Sequence, residues 1–503
     1  MPDDAGSTDQ IRPHGSDRGS IRHIAWGEMF PWLSISRAFR LATDPRQLVL
    51  AALGVLLTAA GWWLLAFVFS GSDEPRTQHV VQSYQAWPWQ PPARPEFVVE
   101  SSIRPIPHPG VGKIEIEAAH VVGDGPRFAP PSPPPFPPGP LLRPEWPRAN
   151  PIIGTWFILS RPFLQLFDRG FSVTAFTVAL LCGLWSAAVW ALFGGAITRL
   201  AAVRLAREER VPIGQALRHA RQRWAGYFGA PLFPLIGVLL PTLGLAAVGW
   251  LLRFDFGLVV LGVLFPLLLV GGVLVVILLL GLLFGWPLMW ATISTEGTDT
   301  FDALSRTYAY VYQRPLSYLF YVVIATLLGW LAAIFAWGVG AAVVYLTLWG
   351  ISWSAGVQRT EQVVAEIAPR VSIAWPVAVP LPPIPQAAEQ PPFAEGTMRE
   401  AAEANVPPPL PPLTATGRFG ARLIAIWIGF VELLVIAFNV SFFWSSAAAI
   451  YFLLRQQVDA TETDEVYIED EEERFGLPPL EADSAGVPQA ADVEEDTPGE
   501  TRQ

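Results

Sequence analysis

Six long runs of apolar residues constrain the fold of this chain more than any other feature. A helix needs about 20 mostly apolar residues to cross a hydrocarbon core about 30 Å thick. Pro266 and Pro287 favour a kink in the fourth run, and seven crossings would result if that run were two helices. No polar break divides it, so we expect six crossings. The runs cover residues 47–70, 171–197, 231–252, 257–293, 316–349 and 422–454.

The composition agrees with this interpretation. Of the 503 residues, 52% are hydrophobic and 15% are charged, whereas a typical soluble protein has about 25% charged residues. The apolar residues lie in blocks, which excludes a simple soluble enzyme, a coiled coil and a fully disordered chain. The sequence therefore predicts an all-α integral membrane protein. We expect about six transmembrane helices, arranged as three helical hairpins that are each preceded by a short cytoplasmic interfacial helix.

The orientation follows from the arginines of the loop at residues 198–230. Seven arginines stand there against Glu208 and Glu209, which leaves a net charge of +5. Short loops rich in Arg and Lys stay in the cytoplasm. The N-terminal segment (1–46), the loop at 294–315 and the tail (455–503) are then cytoplasmic as well. This predicts a multi-pass protein of the bacterial inner membrane. No cleavable signal peptide is expected, because the first apolar run is long enough to remain as an anchor.

Two long loops are expected on the outer side, at residues 71–154 and 350–421. Both are rich in proline, as in the run PPSPPP at 130–135, and such stretches favour extended polyproline II. Alternation at 96–104 and 112–122 suggests a small hairpin, and residues 360–368 suggest a short helix. An interfacial helix is expected before the second span, within residues 155–197.

The tail at residues 455–503 contains sixteen acids and three arginines. Its run of five acids at 469–473 and its low hydrophobicity predict a disordered, solvated segment. Such a tail is suited to docking a basic partner protein, or the basic loop of its own chain.

Three cytoplasmic segments resemble one another, at residues 35–47, 215–232 and 302–316. Each mixes basic and apolar residues, then reaches a proline and enters an apolar run. The proline suits the first turn of a new helix, where its missing N–H costs nothing. This predicts three related units, rotated about the membrane normal. The alternative is that the chemistry of the membrane interface, where Arg, Trp and Tyr concentrate, produces the same pattern.

The third of these segments contains the most structured motif, at residues 296–306. Asp299 is predicted to cap a helix and Asp302 to lie in its first turn, where its charge meets the helix dipole. A cap is favoured over a metal site for these acids. The run reads E-G-x-D-x-x-D-A-x-S-R and is followed by three tyrosines and Pro315. It resembles a loop of uncharacterised bacterial, planctomycete-type, multi-span inner-membrane proteins. The resemblance implies a related helical fold and no particular activity.

Glu432 is the only acid well inside an apolar run, and Asn439 lies seven residues further along the same helix. A carboxylate in lipid costs about 2.5–3.5 kcal/mol or more, so it is normally paired, protonated or near water. The two residues are a candidate intramembrane polar site for a proton or cation relay. The alternative is a protonated Glu432 bonded to a neighbouring helix or lying near the outer interface.

A second candidate site consists of arginines on a basic amphipathic helix at the inner leaflet. Each such charge attracts anionic lipid by about 1 kcal/mol. The alternative is that these arginines only fix the topology. The candidate contacts to lipid headgroups are Arg204, Arg207, Arg218, Arg221 and Arg223.

These patterns favour a non-enzymatic membrane scaffold or accessory component, with the lipid bilayer and proteins that bind its proline-rich loops and acidic tail as partners. No cofactor, metal or nucleic acid is expected, and the single cysteine, Cys182, excludes an internal disulfide. The alternative function is a small-molecule or lipid transporter with Glu432 in a central cavity. A membrane enzyme ranks third.

Overall fold

The computed structural model describes residues 30–72, 74–85, 150–167, 172–367 and 411–468, with the pairs 481–482 and 488–489. The residues of the predicted hairpin at 96–104 and 112–122 lie outside these ranges. The described part is built of helices, with one short antiparallel pairing of strands β1 and β2. The elements are α1 (Arg37–Ala42), α2 (Pro45–Val68), α3 (Pro75–Gln85), α4 (Pro151–Gln165), α5 (Val173–Arg207), α6 (Ile213–Gln222), α7 (Trp224–Gly249), α8 (Asp255–Glu296), α9 (Thr300–Gln313), α10 (Pro315–Ala355), α11 (Val357–Ile367), α12 (Ala415–Asp459), β1 (Glu481–Ala482) and β2 (Pro488–Gln489).

Six helices of the described residues are long and apolar enough to cross a membrane: α2, α5, α7, α8, α10 and α12. The protein is therefore a multi-pass membrane protein with an all-α membrane fold, as predicted. Helix α8 runs without interruption for 42 residues, so the alternative of a seventh crossing is wrong.

The helices extend beyond the predicted bounds of the spans. Helix α5 continues to Arg207, and α7 already begins at Trp224, with Pro231 inside it rather than in its first turn. The segment at 198–230 is thus mostly helical, and only residues 208–212 separate α5 from α6. The helices extend beyond the apolar runs because their ends also pack against other parts of the chain. At the start of α7, for example, Tyr227 and Ala230 are buried.

A short helix precedes each odd-numbered span, as predicted. A 3₁₀ turn (Pro31–Ser36) and α1 precede α2, while α6 precedes α7 and α9 precedes α10. Asp44 caps α2 with Pro45 in its first turn, and Pro315 begins α10. Helix α4 lies before the second span, where an interfacial helix was expected, and its position at the membrane interface stays a prediction. Helix α11 overlaps the helix expected at 360–368. Helix α3 was not predicted.

The chain divides into two compact units. The first contains residues 1–183 and 315–454. Its helices bury Trp62, whose indole nitrogen donates to the carbonyl of Cys182 at 3.0 Å. Buried Gln47 accepts hydrogen bonds from Ser441 (2.8 Å) and Ser445 (3.0 Å), which joins the start of α2 to α12.

The second unit contains residues 184–314 and 455–503. Its helices α7 and α8 form a hairpin in which residues 258–280 of α8 are mostly exposed and apolar. These residues span about 35 Å, close to the thickness of a hydrocarbon core. Residues 285–295 of the same helix are all buried. They pack within a part that we call the head, defined as α6, α9, residues 184–207 of α5, residues 285–296 of α8 and residues 455–468.

Candidate functional site

The head centres on Glu296, at the last position of α8. Gly297 takes a left-handed conformation (φ 64°) and ends that helix, and Asp299 accepts from the Asp302 amide at 2.9 Å to begin α9. Asp299 and Asp302 are therefore an N-cap and a first-turn acid, as predicted. Glu296 therefore lies at the junction of α8 and α9, where its side chain contacts Arg455 in the last turns of α12.

Glu296 is a buried carboxylate held by two arginines. Its side chain is 8% exposed, and its oxygens lie 2.5 Å from Arg306 Nη1 and 3.3 Å from Arg455 Nε. Arg455 is also nearly buried, with its side chain 10% exposed, whereas Arg306 is 42% exposed. A buried charge is costly without a partner, so Glu296 and Arg455 depend on each other. The pair joins the end of α8 to the last turns of α12.

Arg199 of α5 is a second buried arginine, and it donates to two backbone carbonyls. Its Nη1 donates to the Ser294 carbonyl and its Nη2 to the Tyr467 carbonyl, each at 2.7 Å. Ser294 lies in the last turn of α8, where carbonyls lack a partner within the helix and the dipole attracts a positive charge. Arg199 therefore caps α8 and binds the tail at the same time.

The tail is ordered across the head. We call residues 465–468 the strap. The Tyr467 amide donates to the Thr295 carbonyl at 2.9 Å, and the Arg223 guanidinium lies 5.0 Å from the centre of the Tyr467 ring. The position of the ring also needs a glycine at residue 297, because a Cβ atom on Gly297 would lie 2.6 Å from Tyr467 Cδ1. Helix α8, Arg199 and Arg223 thus form one docking site for the strap.

This arrangement corrects one prediction and agrees with another. The tail was expected to be disordered from residue 455, but α12 continues to Asp459, and Val466 is buried. The boundary was placed too early because residues 460–468 have little hydrophobic pattern of their own. The alternative in which the tail docks on the chain's own basic segment holds for the strap, since Arg199 and Arg223 belong to residues 198–230.

A layer of buried hydroxyl groups lies beneath the strap. Ser294 Oγ donates to Thr198 Oγ1 at 2.8 Å and pairs with the Tyr227 hydroxyl at 2.8 Å. Thr198 in turn donates to the Gly194 carbonyl. The Tyr310 hydroxyl donates to the Asp459 carboxylate and so ties α9 to the end of α12. The bonds of Ser294 join α5 and α7 to the last turn of α8, and the bond of Tyr310 joins α9 to the end of α12.

Helix α9 packs on α8 through two glycines, Gly281 and Gly285. A Cβ atom on Gly281 would lie 2.2 Å from the Tyr308 ring, and one on Gly285 would lie 2.9 Å from Thr307. The Tyr308 hydroxyl donates to the Leu278 carbonyl at 2.8 Å. Burial, reinforced by the nearby Tyr312 hydroxyl, raises the pKa of Tyr308, which keeps it a donor. The glycine pair therefore serves packing within the chain.

The predicted contacts to lipid headgroups fall into two groups. Arg218 and Arg221 are exposed on α6. Arg204 and Arg207 are half-buried in the last turn of α5, and Arg223 is half-buried against Tyr467. Of these five residues, Arg223 contacts the strap. Binding of lipid by all five stays a prediction.

The predicted intramembrane site, Glu432 and Asn439, belongs to the first unit. Both residues are half-buried on α12, about 10 Å apart along the helix axis. The Asn439 Oδ1 atom is buried and has no hydrogen-bond partner among the described residues. An unsatisfied polar atom of this kind needs a partner such as water or a ligand.

No protein-family model, no curated protein and no solved structure matches this chain.

Proposed function

We propose that this membrane protein is a non-enzymatic scaffold or accessory component that presents its acidic tail from a fixed point on the head. The observation that supports this proposal is the docking of the strap. Tyr467 is held through its amide, its carbonyl and its ring by Thr295, Arg199 and Arg223. The acidic run at 469–473 therefore begins one residue beyond an anchored segment.

We place the head, and both termini, on the cytoplasmic side of a bacterial inner membrane. The second, fourth and sixth spans end within one head, with Arg199, Glu296 and Arg455 close to those ends. Because these three ends lie in the same part of the protein, they support a topology in which successive spans cross the membrane in opposite directions. The excess of arginine at 198–230 favours the cytoplasm for that side. The proline-rich residues of 71–154 and 350–421 are then available to partners outside.

The scaffold proposal is tested by recovering partners from native membranes in mild detergent. The full chain is compared with a variant that ends at Ile468, which keeps the strap, and with variants that lack the proline-rich segments. A variant with residues 469–503 in scrambled order is the control for charge alone. We expect specific partners whose recovery falls when the tail or the proline-rich segments are removed. Recovery of the same partners without any of these segments would contradict the proposal.

The sidedness is tested with Arg218→Cys, because Arg218 is exposed on α6. The native Cys182 is buried, so the unsubstituted protein measures the background. A maleimide that cannot cross membranes should label the variant only after the cells are permeabilised. Labelling in intact cells would reverse the assignment of every segment.

A transporter of small molecules or lipids, with Glu432 in a central cavity, is the second candidate function. The unsatisfied Asn439 Oδ1 on the same helix favours it, since a water-filled cavity would supply the missing partner. Glu432→Cys should then react in membranes with a small water-soluble thiol reagent. Leu434→Cys is the matched control, because Leu434 is exposed on the outside of the same helix. Equal and slow labelling of both variants would exclude the cavity.

A further inference from the structure

The strap makes the contacts that a bound peptide makes with a receptor. One backbone amide donates to the Thr295 carbonyl, one backbone carbonyl accepts from Arg199, and one aromatic ring lies on Arg223. The backbone bonds are available to any extended peptide, whereas the ring contact selects an aromatic side chain. The site therefore has a general part and a selective part.

The segment that leads to the strap is exposed. Residues 462–465 are exposed, and Ala460 has a positive φ of 53°, which is strained for a residue with a side chain. The Glu465 carboxylate is 65% exposed and lies 3.8 Å from Arg455 Nη2, a distance typical of a weak surface pair. Arg455 also donates to the Glu465 carbonyl at 2.7 Å, so the strap contacts the pair of Glu296 with Arg455 through Glu465. When the strap leaves, Arg455 loses the contacts to Glu465 and keeps its ion pair with Glu296.

We infer that the strap is an intramolecular ligand in a peptide-docking site, and that an acidic segment of a partner protein with an aromatic residue exchanges with it. This inference rests on the proposed function, because exchange would couple recruitment of a partner to release of the tail. The charge of the site fits such a segment: Arg218 and Arg221 are exposed on α6, beside Arg223. In this chain, Tyr467 is followed by Ile468 and then by the five acids at 469–473.

The polar groups of the site favour a peptide over a lipid headgroup. The phosphate of a lipid can accept from Arg199 and Arg223, but a lipid headgroup has no aromatic ring to place on Arg223, and the phosphate itself offers no N–H group to the Thr295 carbonyl. That carbonyl lies in the last turn of α8 and would lose its bond to the Tyr467 amide. A peptide replaces both the donor and the acceptor that the strap supplies.

Tethering makes the strap a strong competitor. A ligand attached by a short linker acts at an effective concentration on the order of millimolar. A free peptide with the sequence of the strap should therefore bind the wild-type protein poorly. Weakening the tethered copy, while keeping the receptor residues, should uncover the site.

The experiment uses the full chain in detergent and a fluorescent peptide with the sequence of residues 463–471. The variant is Tyr467→Ala, and its matched control is Thr463→Ala, since Thr463 is exposed. We expect the Tyr467→Ala protein to bind the peptide at least about tenfold more tightly than the wild type or the control. Adding Arg223→Ala to the Tyr467→Ala protein should weaken binding by about fivefold. Adding Arg221→Ala, which removes an equal charge but no ring contact, should weaken binding less.

A second measurement covers the case in which Tyr467→Ala disturbs the head. In the wild-type protein, hydrogen exchange of residues 466–468 should become faster as the unlabelled peptide is added, and the effect should saturate. The peptide that carries Tyr467→Ala should have little effect. The inference is overturned if neither measurement responds. It is also overturned if a scrambled peptide of equal charge acts as well, or if vesicles of anionic lipid displace the strap and the peptide does not.

The two proposals fail separately. Binding of the purified peptide tests the docking site, whereas recovery of partners from membranes tests the scaffold. If the peptide exchanges with the strap but no partner depends on the tail, the docking site stands and the scaffold does not. If partners depend on the tail but the peptide never binds, only the exchange is wrong.

Discussion

Replacing Glu296 with glutamine keeps the shape of the side chain and removes its charge. Arg306 and Arg455 both lose a carboxylate partner, and the energetic cost of that loss differs between them. Arg306 is 42% exposed and still has Asp302 at 3.1 Å, so its loss is worth under about 1 kcal/mol. Arg455 is 10% exposed, and breaking a buried pair from one side costs about 3–5 kcal/mol. Arg455 keeps its bond to the Glu465 carbonyl at 2.7 Å, which lowers the expected total to about 2–4 kcal/mol.

This loss should appear as a lower melting temperature of the protein in detergent, followed by size-exclusion chromatography of heated samples. A domain of this size loses about 2–4 °C per kcal/mol, so Glu296→Gln should melt about 5–15 °C below the wild type. The matched control is Asp302→Asn, which removes the other carboxylate that contacts Arg306. Its side chain is 41% exposed, so the shift should stay below about 3 °C.

The reasoning would be refuted if the two variants melted alike, because burial would then not decide the cost. A double variant tests the partner directly. Arg455→Met should destabilise the wild type, but should cost less in the Glu296→Gln protein, where Arg455 has already lost its buried carboxylate partner. The two single losses should therefore exceed the loss in the double variant by about 0.5–3 kcal/mol. Simple addition of the two losses would show that Glu296 and Arg455 are not coupled.

Three further outcomes are expected. Gly281→Ala should lower the melting temperature by several degrees, because its Cβ atom would meet the Tyr308 ring, whereas Gly272→Ala, which has no atom within 4 Å, should not. Gly297→Ala should speed hydrogen exchange of the Tyr467 amide, because the new Cβ atom would strain the turn and meet the Tyr467 ring. Because burial raises the pKa of Tyr308, the folded state keeps a proton that the unfolded chain releases above a pH of about 10. Stability should therefore fall as the pH rises above that value, and less steeply in Tyr308→Phe, measured as melting temperatures at several alkaline pH values.

The spans and the caps were predictable because their signals are local. Apolar runs of sufficient length identify all six crossing helices of the described residues, and the position of Asp299 before an amphipathic segment identifies the start of α9. The ends of the spans were less predictable. Polar residues such as Arg199 looked like loop residues, although Arg199 lies inside α5 and is buried by contacts from elsewhere in the chain.

The cluster in the head was not predictable, because its partners are far apart along the chain. Arg199 is 95 residues from Ser294 and 268 residues from Tyr467. No periodicity or motif joins such positions. One signal was present in the sequence: Glu296 and Arg455 each stand just beyond an apolar run, with opposite charges. Once the even-numbered spans are assumed to end on one side, those two residues are candidates for a pair.

The unbroken length of α8 has a mechanical consequence. With 42 residues it is about 63 Å long, and the same rod runs through both the lipid-facing stretch and the head. The lipid-facing stretch is the exposed apolar segment at residues 258–280. A transmembrane helix whose apolar segment is longer than the bilayer is thick accommodates the difference by tilting. Glu296 lies about 40 Å along the axis from the middle of that stretch, so a lean of about 10° would carry it sideways by about 7 Å. We therefore expect a change in the thickness of the surrounding lipid to move the end of α8 at which Glu296 pairs with Arg306 and Arg455.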